Sequence, residues 1–307
     1  MPPVDFLTDF LSASLRLTVP LAFAALGGLI SERSGILNIG LEGMILTGAF
    51  ASAAVTFGSG QVWYGVAIAC LAGALVGLLH AYLCVSLSVN QLVSGLAINL
   101  AAAGLTTYGA RLLFATGTVA LPSIEPITVP YLSELPVIGV LFQQDFLFYL
   151  LIGLIISSTY GLFYTRWGLS LRAVGNAPQA ADSAGVSVVR VRYCSVVLCG
   201  GLCGLAGAYL ALVHVGFFTE NMSAGKGFIA LAALIFGRWH PVATAFACLL
   251  FGTTEALQLR IQAFGLDIPY QLLAMLPYVT ALLALTGLAG KATPPAALGI
   301  PYDSYKS

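Results

Sequence analysis

Two polar segments hold most of the residues that could do chemistry. The first is Ser31-Glu32-Arg33-Ser34-Gly35-Ile36-Leu37-Asn38-Ile39-Gly40-Leu41-Glu42-Gly43-Met44, with two acids, one arginine and one asparagine in 14 positions. Asn38 and Glu42 are four apart and share a face if the segment is helical. Polar groups at the border of an apolar run must face protein or a water-filled path. They either line a polar route or form a capped hairpin with a Glu–Arg surface pair. Farther on, Gln91 lies three residues before Ser94 and eight before Asn99, so all three can share a helix face. These uncharged donors and acceptors suit a hydroxyl-rich ligand, or else hydrogen bonds between helices. Asn38, Glu42, Gln91, Ser94 and Asn99 are the candidate substrate path.

The second segment runs from Leu171 to Val186. Asn176 can cap a short helix that has Pro178 in its first turn. Ala180, Ala181 and Ala184 favour a helix with small side chains, and Gly185 can end it in a left-handed cap. A helix lying on a membrane surface would carry large apolar residues on one side. Alanines instead suit a close-fitting groove on a protein partner; the other reading is an ordinary inner loop whose arginines set topology.

The sequence offers little for catalysis. Gly225-Lys226-Gly227 lacks the upstream glycine and the following hydroxyl of a phosphate-binding loop. His80, His214 and His240 stand apart from any acid cluster, and no Ser/His/Asp set has a recognisable context. The six cysteines fall in apolar runs; Cys199 and Cys203, four apart, could serve a metal but read as small packing residues. No catalytic, cofactor-binding or metal-ligating residue is assigned.

The elements that must position these groups are membrane helices. Of 307 residues only 8% are charged, 59% are hydrophobic, and the mean hydropathy is +0.96. Soluble domains carry about 25% charged residues, so a soluble enzyme and a nucleic-acid-binding chain are both disfavoured. Asp5 and Asp9 precede the first basic residue, Arg16, unlike a cleaved signal. Runs long enough to span a bilayer fall at 14–30, 43–60, 62–87, 91–113, 146–164, 193–214, 241–258 and 270–290. The piece 227–237 is short and is either a steep crossing or a re-entrant half-helix. The expectation is an all-α polytopic fold of eight or nine transmembrane helices in a single domain, 1–307. Gly73 and Gly77, and Gly200, Gly204 and Ala208, form small-residue stripes that let helices approach closely.

Charge sets the sides. Segment 165–192 holds Arg166, Arg172, Arg190 and Arg192 and should be cytoplasmic. Segment 114–145 has acids, four prolines and no basic residue, and should be extracytoplasmic. Counting spans puts the N-terminus outside and the C-terminus inside. Lys291 and Lys306 favour that, whereas a re-entrant 227–237 would place the tail outside.

The first segment, then Arg172-Ala173-Val174-Gly175 through Ala184-Gly185-Val186, then Gly225-Lys226-Gly227-Phe228-Ile229-Ala230-Leu231-Ala232-Ala233-Leu234-Ile235-Phe236-Gly237-Arg238-Trp239, together resemble a known family. It is that of the ABC-importer permeases for branched-chain amino acids, ribose and nucleosides. The likeness runs in order along nearly the whole chain and is strongest to the shorter nucleoside permeases that accompany a basic-membrane-protein-type binding lipoprotein. The resemblance implies a bacterial plasma-membrane subunit with alternating access, importing nucleosides or, failing that, sugars or branched-chain amino acids. It implies that Arg172, Gly175, Asn176, Pro178, Ala180, Ala181, Asp182, Ala184 and Gly185 belong to a loop docking into an ATPase subunit. An acid followed by Asn often stands after the glycine in such permeases; here Asn176 and Ala177 do. The implied partners are that ATPase, which uses ATP and magnesium, a longer homologous permease (or a second copy), a substrate-binding lipoprotein and membrane lipid, with no nucleic acid. This chain would bind no cofactor. A channel or secondary transporter is the rival reading, and its relay could begin only from Glu42 and Glu255.

Overall fold

A backbone in lipid must satisfy its own hydrogen bonds, so uninterrupted apolar runs wind into helices. The computed structural model describes residues 3–114, 119–128, 130–133, 135, 137–263, 270–277, 279–280, 282 and 293–302. Its long helices are α1 (Pro3–Arg33), α2 (Leu41–Ser59), α3 (Val62–Ala81), α4 (Gln91–Leu113), α5 (Phe146–Tyr164), α8 (Val188–Tyr209) and α10 (Pro241–Ala263). These are the 7 described helices long and apolar enough to cross a membrane. Between them lie α6 (Arg166–Asn176), α7 (Pro178–Ser183) and the 11-residue α9 (Lys226–Phe236). A short α11 (Tyr270–Ala274) begins the expected span 270–290, whose residues 283–290 lie outside the described residues. Lys291 and Lys306, used above to orient the tail, also lie outside them.

The helix bounds depart from the apolar runs in places. α1 begins at Pro3 rather than near residue 14, and its 31 residues extend about 46 Å. α3 and α8 each continue through a π-helical turn, Tyr82–Ser86 and Leu210–Val215. The loop 114–145 carries the described strand pair, β1 (Ile127–Thr128) against β2 (Gln143–Gln144), and a short 3-10 turn, Ile138–Phe142. Asp145 then caps α5, accepting from the Phe148 N–H at 3.1 Å.

The core is built around α8. A Cβ on Gly73 would overlap the Gly200 carbonyl, and one on Gly204 would overlap the Ala69 carbonyl. The two small-residue stripes thus face each other, and α3 and α8 touch backbone to backbone, as lipid-embedded helices do without large side chains between them. α2 lies on the same seam, where Gly48 meets Gly204 and Gly207 meets Ile45. Cys199 and Cys203 are buried there among apolar neighbours. By contrast, α3, α4 and α5 turn Leu71, Leu75, Leu100, Leu105, Ile156 and Tyr160 outward.

The bundle has two distinct ends. At one, the 31–40 connector, α6, the 237–240 turn and the tail 293–302 meet: Arg33 reaches Trp239, the Ala297 N–H bonds the Gly175 carbonyl, and the Gly299 N–H bonds the Gly35 carbonyl. At the other, Arg111 near the end of α4 pairs with Glu220 at 2.8 Å, and the Leu121 N–H bonds the Gly216 carbonyl.

Candidate functional site: a cleft at the head of a half-helix

After Arg33 the chain does not turn back at the bundle end. It runs non-helically inward, tethered at each step. The Leu37 N–H bonds Gln91 Oε1 at 2.7 Å. Asn38 Oδ1 accepts from the Gly40 N–H at 3.0 Å while its Nδ2 donates to Cys199 Sγ at 3.3 Å. Asn99 Nδ2 donates to the Ile39 carbonyl at 3.0 Å, and the Gly43 N–H donates to Asn99 Oδ1 at 2.8 Å. Asn99 lies eight residues into α4 from Gln91, about 12 Å from that helix end. α2 therefore starts inside the bundle, and its first-turn acid, Glu42, is carried to depth.

There Glu42 meets the head of α9. Its Oε1 accepts from the Gly225 N–H at 2.7 Å, and its Oε2 from the Gly227 N–H at 2.6 Å. The first N–H groups of a helix lack internal partners and carry partial positive charge, so a carboxylate from a distant helix caps this one. The contact requires glycine at 227, where a Cβ would overlap the Glu42 backbone. Lys226 points away and pairs with Glu255 of α10 at 2.6 Å.

The other end of α9 is clamped too. Arg238 and Trp239 take positive φ, +53° and +54°, which costs non-glycine residues strain. The turn is held because Trp239 Nε1 donates to Glu32 Oε2 at 2.6 Å, and Arg33 Nε and Nη2 donate to the Trp239 carbonyl at 3.0 and 2.8 Å. Glu32 and Arg33 are thus not a surface pair with each other; both are spent on Trp239. Phe163 gathers the surrounding cations. The Arg33 and Arg172 guanidinium carbons lie 5.8 and 5.3 Å from its ring centre, and His240 stacks on it at 5.0 Å. Burial, and then the neighbouring Arg33 charge, lower the His240 pKa.

The segment from Glu220 to Trp239 consequently runs from one bundle end to the other, irregular to Gly225 and helical beyond it. It runs through the bundle as a loop followed by a half-helix. Irregular backbone at depth is tolerated where it is buried in protein or lines a cavity. Here it does both. A cleft of about 410 Å³ opens at the head of α9, lined by Glu42, Leu96, Asn99, Leu100, Asn221, Gly225 and Phe228. Its open side lies beside the outward-facing Leu96 and Leu100 of α4.

Two of the five path residues read from the sequence reach this cleft, Glu42 and Asn99. Asn38, Gln91 and Ser94 are buried away from it. Ser94 Oγ meets His80 Nδ1 at 2.9 Å, and with Gln91 and Asn38 it anchors the inward-running connector. Asn221 and Phe228 line the cleft without having been singled out as path residues. The signal for them was the Gly225-Lys226-Gly227-Phe228 sequence, whose glycines free the backbone at the helix head.

At the bundle end, α6 is capped by Thr165, whose hydroxyl accepts from the Gly168 N–H at 3.2 Å. Asn176 is its last residue and does not cap α7. Its Nδ2 bonds back to the Arg172 carbonyl at 2.9 Å and its Oδ1 accepts from the Ala296 N–H at 3.3 Å, leaving Ala177 at the cap position. Pro178 does open α7, and Gly185 follows it at φ +83°. Pro178 and Ala181 are turned inward, Ala181 onto Val174 and Val188, while Ala180, Asp182, Ala184 and Gly185 are exposed. Gly175 lies against the Arg33 carbonyl, where no Cβ would fit. Arg172 is taken up by Phe163.

Residues 10–285 match the family described as the branched-chain amino acid transport system permease component. The chain belongs to this permease family. It is 40% identical to the guanosine ABC transporter permease protein NupQ of Bacillus subtilis over 320 residues, covering 100% of both chains. It is 39% identical to the nucleoside ABC transporter permease protein NupC of Lactococcus lactis, again covering 100% of both. The putative glucose ABC transporter permease protein TsgC13 of Haloferax volcanii is 37% identical over 86% of this chain and 80% of its own length. No solved structure matches significantly. In this permease, then, the half-helix α9 joins two places: a cleft at depth held by Glu42, and a bundle end held by Glu32 and Arg33 beside α6 and α7.

Proposed function

We propose that this chain is a permease subunit of an ATP-driven nucleoside importer in a bacterial plasma membrane. The observation that carries the reading is the full-length likeness to permeases named for guanosine and nucleoside transport. The end bearing Arg33, Arg166, Arg172, Arg190 and Arg238 is the cytoplasmic one, by the bias of basic residues to that side. The loop 165–192 with α7 docks into a separate ATP-hydrolysing subunit through Ala180, Asp182, Ala184 and Gly185. The loop 114–145 faces the outside, where a binding lipoprotein delivers substrate. A second, homologous permease completes the path against the open side of the cleft.

Alternating access needs an element with two positions that both sides can bias. α9 supplies it. Closure of the ATPase moves α6 and α7; Arg172, Phe163 and Arg33 pass that motion to Trp239; α9 carries it to Glu42. Two features weigh against a proton- or sodium-coupled carrier: Glu42 is engaged by two backbone N–H groups, and Glu255 is paired with Lys226.

A second reading, sugar import, draws on the likeness to a putative glucose permease. Reconstituting the whole transporter in proteoliposomes and measuring uptake of labelled guanosine, glucose and leucine with and without ATP separates the readings. Guanosine uptake that needs ATP is the expected result. Glucose or leucine uptake alone overturns the substrate, and uptake without ATP overturns the class.

A further inference from the structure

We propose that the cleft at the head of α9 is this subunit's half of the nucleoside-binding site, with Phe228, Asn221 and Glu42 as the residues that read the ligand; the inference rests on the nucleoside reading above. The volume, about 410 Å³, falls within the roughly 300–1,000 Å³ of small-molecule sites. The lining explains the class of ligand. Phe228, 46% exposed, offers a ring face for a flat heteroaromatic base, a contact open to every base because each has a π-face. Asn221 is exposed in the cleft, and its amide can both donate to and accept from a base edge. Asn99 is oriented by the connector, which takes one bond at its carbonyl oxygen and one from its amide; it shapes the wall.

Glu42 is the only charged residue among those lining the cleft. Each of its oxygens receives one backbone N–H from α9. A carboxylate oxygen has two lone pairs, so each keeps one to accept from a donor. Ribose hydroxyls are such donors, and their bonds to an ionised acceptor are of the stronger kind. The α9 head already offsets the Glu42 charge, so the site favours a neutral ligand with hydroxyl donors over a cation. It disfavours an anion, since no free cation faces the cleft among the described residues; Lys226 is paired with Glu255. The open side beside Leu96 and Leu100 leaves one face of the ligand uncovered, for the second permease to close.

The test uses the whole transporter in proteoliposomes, with guanosine and its 2′,3′-dideoxy analogue as probes. Phe228→Leu keeps bulk and removes the flat ring; Asn221→Ala removes the amide; Leu71→Ala, on the outer face of α3, is the control. The expected result is a rise in KM of about tenfold or more for both cleft variants, with ATPase activity at saturating guanosine retained. The control keeps its KM, and the dideoxy analogue competes at least about tenfold more weakly than guanosine in the unaltered protein. Guanosine import with KM within about twofold of the unaltered protein in both cleft variants overturns the site and leaves the nucleoside reading standing. An unaltered transporter that imports no nucleoside overturns both.

Discussion

Glu42 and Gly227 meet at 2.6 Å across 185 positions of sequence. One is in the first turn of α2 and the other in the first turn of α9, so the carboxylate closes a helix that its own helix does not adjoin in the chain. Replacing Glu42 with Gln keeps the shape but leaves only one oxygen for two N–H groups. An unsatisfied buried donor costs about 1–3 kcal/mol. The E42Q protein should assemble, unfold at lower temperature in detergent, and transport at a small fraction of the normal rate. A thermal melt and an uptake assay on one preparation check this.

Glycine 227 should be the less forgiving partner. An added methyl would overlap Glu42 main-chain atoms rather than the tip of a flexible side chain, so α9 must shift. Gly227→Ala should abolish transport and lower the yield of folded protein. Gly58→Ala is the contrast. It has nothing within 4 Å of the new methyl, and in a helix the change is worth about 0.5–1 kcal/mol in favour of alanine. Size-exclusion profiles of the two variants should differ accordingly.

The Glu32–Trp239 bond predicts non-additivity. Trp239→Phe leaves a buried carboxylate without its donor, at a cost of about 1–3 kcal/mol beyond lost packing. Adding Glu32→Gln removes the stranded charge. The double variant should therefore be less destabilised than the sum of the single changes, measured as a double-mutant cycle by thermal melts. A strictly additive cycle would show that the bond contributes nothing.

The faces of α7 let the proposed docking be tested apart from folding. Ala180 and Ala184 are exposed, whereas Ala181 is 4% exposed against Val174 and Val188. Tryptophan at 180 or 184 should leave a normal melt but prevent co-purification of the ATPase. Tryptophan at 181 should overpack the contact and lower the melting temperature by itself, at about 1–3 kcal/mol. Normal ATPase recovery with bulky residues at 180 and 184 would remove α7 from the docking surface.

How much of this was legible in the sequence varied with the kind of interaction. Apolar runs located the long helices because burial in lipid depends on composition alone. Pro178 and Gly185 marked α7 because a first-turn proline and a left-handed glycine are local requirements. The glycine stripes of α3 and α8 were readable as close-packing surfaces, though not as facing each other. Spacing also put Gln91, Ser94 and Asn99 on neighbouring positions of one helix, but it could not say what lay opposite. Two of them found His80 and Leu37 and became anchors; Asn99 alone reached the cleft. Asn176 had the residue type of a cap but was drawn to a tail more than a hundred positions later. The strained turn at Arg238 and Trp239 has no local signature, because what holds it is Glu32 and Arg33.

The segment 293–302 has a consequence for how its end of the bundle closes. Residues 296–300 supply partners for Asn176, Gly175, Gly35 and the buried Arg192, whose Nη1 donates to the Ile300 carbonyl at 3.2 Å. Each of these four contacts joins positions more than a hundred residues apart. Loss of this one short segment would therefore open the connector, α6 and α8 together, so this end of the bundle closes as a unit or not at all.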